Sequence, residues 1–224
     1  MAIKPFAQLY AQALTHFPSE EALEEQLPEP LPDSFMRHLS DDRFLSAMCL
    51  RVFRAGLKHS MVDDRWPSFE RAFYEFNPDK LALMSDEQLE QAMEADGVIK
   101  HWGKVKAIRL NALFVQEVAA AHGKFGEWLA DWPVDNIIGL WAELNKRGGH
   151  LGGRSGPAFL RLIGKDTFMP SQDVEQVLVE MGVVDKWPGS QKGLQAVQDV
   201  FNQWREECGR PLCEISRIVS YTAS

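Results

Sequence analysis

The 224-residue sequence has only three cysteines, Cys49, Cys208 and Cys213, and no CxxC among them. Neither a disulfide framework nor a cysteine-based zinc knuckle is therefore indicated. Cys49 falls in the apolar run MCLRVF and is expected in the core. No stretch approaches the length of a membrane span, and the opening residues MAIKPFAQLYAQ hold no long apolar signal region. A soluble, cytoplasmic chain is the expectation. β-Branched residues rarely alternate with polar ones, so a sheet has little to build on. Internal repeats and low-complexity tracts are also missing. Positive charge is in the minority, 24 Lys and Arg against 32 Asp and Glu for a net charge of −8, which argues against indiscriminate nucleic-acid binding. The imbalance is uneven along the chain. Acidic residues crowd into 19–33 and 85–96 and basic ones into 100–109 and the opening stretch, so a local basic face is compatible with an acidic whole.

Apolar residues recur at helical spacing nearly everywhere, which predicts an all-α chain of roughly ten helices. A first helix over 4–16 carries Phe6, Leu9, Tyr10 and Ala13 on one side and stops at Pro18. A short acidic helix follows Ser19, and PEPLPD then forms a strap without regular structure. Ser40 or Asp41 caps a long apolar helix, FLSAMCLRVFRAGL, that ends at 56–58 and is the candidate central buried helix. WPSFERAFYEF and NPDKLALM are each opened by a proline at the start of a helical turn. Ser85 and Gln88 form a capping box, Gly97 closes that helix, and another spans 103–120. A connector over 123–133 holds Trp128 and Trp132. Helices over 135–147, 173–181, 190–207 and 211–221 complete the chain. The whole is expected to be one domain over 1–224 in two lobes, one about 40–120 and one about 135–224 with the N-terminal helix.

The stretch 146–173, KRGGHLGGRSGPAFLRLIGKDTFMPSQD, fits neither ordinary core nor ordinary surface. Five glycines, Gly148, Gly149, Gly152, Gly153 and Gly156, fall within nine residues, and Pro157 suits the first turn of a following helix. Outward amides at a helix start make a site for a phosphate, and Lys146, Arg147, Arg154 and Arg161 surround this one with positive charge. A helix–turn–helix hinge with a solvated basic rim is the plainer reading.

From 44 to 118 the sequence resembles the 3-methyladenine DNA glycosylase I (Tag) family of the helix-hairpin-helix glycosylases. The resemblance is carried by MCLRVFRAGL (48–57), by WPSFERAFYEFNPDKLALM, by DEQLEQAMEADGVIKHWGKVKAIRLNA (86–112) and by the KRG before the glycine run. It implies a two-lobed all-α helix-hairpin-helix fold and a base-excision repair enzyme. The implied reaction is hydrolysis of the N-glycosidic bond of alkylated purines such as 3-methyladenine in double-stranded DNA. The enzyme is expected to be monofunctional, because no lysine stands where a Schiff-base nucleophile belongs. The glycine run and Asp173 look like the hairpin and following aspartate of the superfamily, although LGGRSGPAFL lacks the usual Gly-hydrophobic-Gly core. Other departures are sharper. The glutamate that reads the alkylated base in the Tag family aligns with Arg51, the tryptophan expected nearby aligns with His59, and the N-terminal aromatic pocket and the cysteine and histidine zinc ligands are missing. No metal or other cofactor is expected.

Breaking an N-glycosidic bond places positive charge on the sugar, so a carboxylate beside it helps. The base must also leave the stack, at about a few kcal/mol. Asp173 is the candidate carboxylate; alternatively it, or Ser171, caps the helix that follows. Asp166 is a second candidate, otherwise a solvated turn residue. The phosphate anchor is expected at Gly152, Gly153, Arg154, Ser155 and Gly156 with Lys146 or Arg161 nearby. Lys104 is a second backbone contact or a solvated helix face. Leu57 is the candidate wedge in the gap left by the base, or packs a helix end. Arg51, Phe53, His59 and Trp102 are the candidate base pocket. Their plainer roles are core aromatics for Phe53 and Trp102, a helix C-cap for His59, and half of a buried ion pair for Arg51. Arginine repels a cationic base. A non-catalytic DNA- or lesion-binding relative is therefore the alternative, and dispersed basic residues would instead suit an interaction protein without nucleic acid. A monomer is expected.

Overall fold

The apolar stripes become helices throughout the computed structural model, which describes residues 3–223; among the described residues no strand forms. The order is α1 (Phe6–Leu14), α2 (Glu20–Glu24), α3 (Asp33–His38), α4 (Asp41–Arg54), α5 (His59–Ala72), α6 (Pro78–Ala82) and α7 (Asp86–Met93). There follow α8 (Trp102–His122), α9 (Phe125–Asp131), α10 (Ile137–Arg147), α11 (Ser155–Leu162), α12 (Gln172–Glu180), α13 (Gln191–Cys208) and α14 (Leu212–Ser220). Local chemistry starts many of them. Ser19, Asn77, Ser171 and Ser190 each accept a backbone N–H of the first turn, and the Ser85–Gln88 capping box closes in both directions.

Two local expectations need correction, and one helix, α3, goes beyond what was expected. Pro67 does not open a helix but lies inside α5, where the carbonyl it leaves unpaired belongs to the exposed Asp63 and faces solvent. Residues 123–133 are not a bare connector: Phe125, Trp128 and Leu129 are buried and wind into α9. The proline strap gives way at Asp33 to α3, which packs on α9 so closely that a side chain at Gly126 would collide with the Met36 carbonyl.

The chain divides into two units. One holds the described residues up to Leu31, Pro133–Ala142 and those from Gly164 on. Its core gathers α1, α12, α13 and α14 around Trp204, Phe201 and Phe168, the last two rings stacked at 4.2 Å. The Trp204 indole donates to the Lys4 carbonyl and the Trp141 indole to Thr167 Oγ1, so both buried N–H groups are satisfied.

The other unit holds Pro32–Trp132 and Glu143–Ile163 and is built around α4, which packs on α5, α8, α9 and α11 as its apolar run suggested. Phe53, Trp66, Phe69, Phe73 and Phe76 form a chain of ring contacts at its centre. Between α5 and α6 the non-glycine residues Tyr74, Glu75 and Phe76 all take left-handed φ, 53, 54 and 58°. Each costs about 1–2 kcal/mol relative to the right-handed form. Full burial of Phe73 and Phe76, and a 2.6 Å bond from Arg43 to the Glu75 carbonyl, offset that cost. The glycine run and α11 belong to this unit, not with the C-terminal helices as chain order suggested, because α11 packs on α4.

Candidate functional site

The glycine turn is held from behind by one buried side chain. Asn111 on α8, wholly buried, accepts the Gly149 N–H at 2.7 Å through Oδ1 and donates to the Gly149 carbonyl at 3.3 Å through Nδ2. Gly149 then lies so close to α8 that a Cβ there would stand 2.9 Å from the Ala107 Cβ. His150 takes φ 61°, Leu151 plugs inward, and Gly153, at φ 57°, turns an open tip with nothing within 4 Å of where a Cβ would be. The N–H groups of Gly152, Gly153 and Gly156 meet no acceptor among the described residues, and α11 starts beside them at Ser155. Free amides at a helix start attract an anion. Lys146 and Arg154 are exposed around the turn, and Arg161 is half-buried at the far end of α11. Arg147 is not part of that rim, because Glu117 and Glu143 take its guanidinium, which also lies 4.8 Å from the Phe114 ring centre.

A second cluster lies where the end of α4 meets the start of α8. His101 caps α8, its Nδ1 accepting the Lys104 N–H. Lys104 does not extend towards solvent as a phosphate contact would. Its ammonium donates to the carbonyls of Phe53 at 3.2 Å and Ala55 at 2.6 Å, where the end of α4 offers unpaired oxygens and a negative dipole. Burial and the charge of Arg51 hold this ammonium below its ordinary pKa. A Cβ at Gly103 would stand 3.4 Å from His101 Cε1 and 4.0 Å from His150 Nε2. Two imidazoles thus stand near this glycine at the start of α8. His150 escaped the sequence reading, although its place between two pairs of glycines was the available signal.

Of the four residues expected to form a base pocket, one is core and three reach the surface. Phe53 has no exposed surface and lies 4.6 Å from Phe69, so it is core rather than pocket wall. His59 is exposed at the first position of α5 and caps no helix end. Trp102 is half-buried in the first turn of α8, with the Lys106 ammonium 5.3 Å from its ring centre. Leu57, the candidate wedge, is half-buried just after Gly56, whose φ is 76°. Among the described residues Arg51 is no half of an ion pair, and its buried Nε has no hydrogen-bond partner. Burial and the charge of Arg54 hold its pKa below the ordinary arginine value. Arg54 itself is held by two 2.8 Å bonds to Asp63.

Both carboxylate candidates belong to the unit of α12–α14. Asp173 is exposed in the first turn of α12, and the capping alternative falls to Ser171, whose Oγ accepts the Val174 N–H at 3.2 Å. Asp166 is a cap rather than a solvated turn residue: its two oxygens accept the N–H groups of Leu212 and Cys213 at the start of α14. Among the described residues no three His, Cys, Asp or Glu side chains gather to hold a metal ion, and no helix is long and apolar enough to cross a membrane. The Cys49 thiol is buried, as expected of a core residue.

The family model for methyladenine glycosylase matches residues 35–146, half of the chain. DNA-3-methyladenine glycosylase 1 of Escherichia coli is 33% identical over 70 residues, 31% of this chain and 37% of that protein. DNA-3-methyladenine glycosylase of Haemophilus influenzae is 29% identical over 105 residues, 47% of this chain and 51% of that one. The chain thus spans about half, or less, of the length of these curated relatives. Among solved structures, 3-methyladenine DNA glycosylase I of Staphylococcus aureus aligns with a TM-score of 0.51 at 19% identity, over 70% of this chain and 91% of its own. The 8-oxoguanine DNA glycosylase of Methanocaldococcus jannaschii aligns with a TM-score of 0.56 at 14% identity, over 96% and 92%. At such identities these two likenesses speak for the fold, which is that of the helical DNA glycosylases. The match over 35–146 takes in α4, α8 and the entry to the glycine turn, and the chain belongs to the methyladenine glycosylase family.

Proposed function

We propose that this chain is a cytoplasmic, monofunctional DNA glycosylase of base-excision repair that binds damaged double-stranded DNA and hydrolyses the N-glycosidic bond of an alkylated purine, such as 3-methyladenine. Family membership supports the reaction class, and the two curated relatives carry that activity in their names. The observation that carries DNA binding is the glycine turn. Three amides without a protein acceptor stand at the start of α11, beside the exposed Lys146 and Arg154. A phosphodiester oxygen satisfies such amides, and contacts of this kind position a protein on DNA without reading its sequence.

In the proposed reaction the bond between the base nitrogen and the sugar carbon breaks with its electron pair staying on the base, which leaves neutral; water supplies the new oxygen on that carbon, and the proton that water loses passes to solvent, carrying away the positive charge that the alkylated base brought. A carboxylate stabilises the positive sugar during this exchange. Asp173 is the proposed carboxylate. Its helix is already capped by Ser171, and its own side chain has no hydrogen-bond or ion-pair partner among the described residues. Incubation with methylated duplex DNA, followed by chromatography of the freed bases, tests the proposal. Release by the parent and a loss of at least about a hundredfold in Asp173→Asn, with duplex binding retained, is the expected result for a group acting on transition-state charge. Salt-sensitive binding without release from any lesion would instead establish a non-catalytic lesion-binding protein.

A further inference from the structure

We infer that Arg51 is a ligand-reading group and that its ligand presents an oxygen acceptor with full or partial negative charge. In DNA that chemistry has two sources, a backbone phosphate or the carbonyl edge of a neutral, oxidised or deaminated base. The inference rests on the proposed function for its placement on DNA.

Arg51 sits in the last turn of α4 with its Nε buried, and among the described residues it makes neither a hydrogen bond nor an ion pair. A buried donor left without an acceptor is uncommon in folded proteins. Its surroundings do not explain it as a structural charge. Asp63, the carboxylate that Arg54 engages one turn further along α4, is taken in both oxygens by that arginine. The Lys104 ammonium is close enough for Arg51 to lower its pKa, and it is committed to the carbonyls of Phe53 and Ala55. Two cations thus stand together beside the end of α4 with no anion between them. The helix that carries Arg51 also packs directly on α11, the helix whose start holds the free amides of the glycine turn.

An acceptor entering here takes the hydrogen bond that the Arg51 Nε–H has to give and relieves the repulsion between Arg51 and Lys104. A cation entering here adds a third positive charge. The site therefore favours an oxygen acceptor over a cation, whichever of the two sources supplies it.

The test is titration of the full chain, and of Arg51→Met and Arg51→Lys, with inorganic phosphate, with hypoxanthine, with a cationic N-methylated purine nucleoside, and with a duplex carrying an abasic site. The Arg51 Nε–H resonance, assigned by its loss in Arg51→Met, is followed throughout. A hydrogen bond to a charged group corresponds to roughly tenfold to a hundredfold in affinity. If the ligand is the base edge, hypoxanthine shifts the Nε–H resonance, and Arg51→Met loses hypoxanthine by that factor but not the abasic duplex. If it is a phosphate, the abasic duplex and inorganic phosphate show the loss instead. In both cases Arg51→Lys recovers less than the parent, because it lacks the Nε donor. Equal affinities for every ligand in parent and Arg51→Met, or tighter binding of the cationic nucleoside than of hypoxanthine by the parent, would overturn the inference. Absence of base release from any duplex would remove the glycosylase reading alone, since these titrations require no turnover.

Discussion

Two arginines eight residues apart on α4 live in opposite circumstances. Arg43, in the first turn, is fully employed: Asp42 accepts from its Nε at 2.7 Å, Glu70 from both terminal nitrogens at 3.0 and 3.1 Å, and the Glu75 carbonyl at 2.6 Å. Glu70 in turn accepts from Ser46, which accepts from the Trp66 indole. Arg51, in the last turn, has a buried Nε and nothing to give it to. Both are basic residues on the same helix of the same unit. The difference shows that charge on this chain is structural where a carboxylate and a carbonyl have been folded against it, and is held open for something else where they have not.

Removing Arg43 should have the largest effect on this contrast. Arg43→Met strands Glu70 and frees the left-handed turn at Tyr74–Phe76, and a stability loss of about 2 kcal/mol in urea unfolding is expected, moderated by the partial exposure of the pair. An unchanged midpoint would show that the network is ornamental. Arg51→Met should act in the opposite direction. It removes a buried donor that has no acceptor, so the chain should gain about 1 kcal/mol while losing ligand affinity. A loss of stability there would mean that Arg51 is partnered in solution and would erase the contrast.

Acid separates the two ends further, though by less. Burial raises the pKa of Asp42, but bonds from Ser40 and Arg43 outweigh it and leave the carboxyl below its ordinary 3.8. A carboxylate with a lowered folded-state pKa contributes stability above its unfolded value, and that contribution is lost as pH falls through the folded one. The parent should therefore lose stability as pH drops below 3.8 by a margin, under about 1 kcal/mol, that is smaller in Arg43→Met, where, of these two side chains, only Ser40 still bonds the carboxylate. Arg51→Met should keep the acid limb of the parent, because no carboxylate faces Arg51. Stability curves against pH for the three proteins decide it.

How much of this could be read in advance depended on distance along the chain. The capping box of Ser85 and Gln88, the cap at Ser171 and the proline-opened α6 are signals confined to four residues, and the structure bears them out. Proline 67 was misread because its own preference for a helix start was overridden by the Val62, Trp66 and Phe69 side, which drives α5 onto α4. The residues 123–133 were misread because glycine and proline suggest a loop, whereas burial of Phe125 and Trp128 rewards a helix. At the site, the glycine turn was legible as a turn leading into a helix start. Asn111, which holds it, was not, since nothing in the α8 sequence marks one buried polar residue as the partner of a loop 38 residues away. Lys104 and Asp166 were misassigned for the same reason: their partners lie 49–51 and 46–47 residues off.

By itself, then, the order of residues determined that this chain is helical, where most of its helices start, and that its central stretch follows the pattern of the methyladenine glycosylases. These follow from spacings within one or two turns of helix, where apolar periodicity and cap hydrogen bonds act. Only the tertiary structure decided that Phe53 is core, that Lys104 is turned onto the end of α4, that Arg43 is satisfied and that Arg51 is not. Each of those outcomes depends on which distant carbonyl or carboxylate is folded against the side chain, and a buried charge is worth something different with a partner than without one.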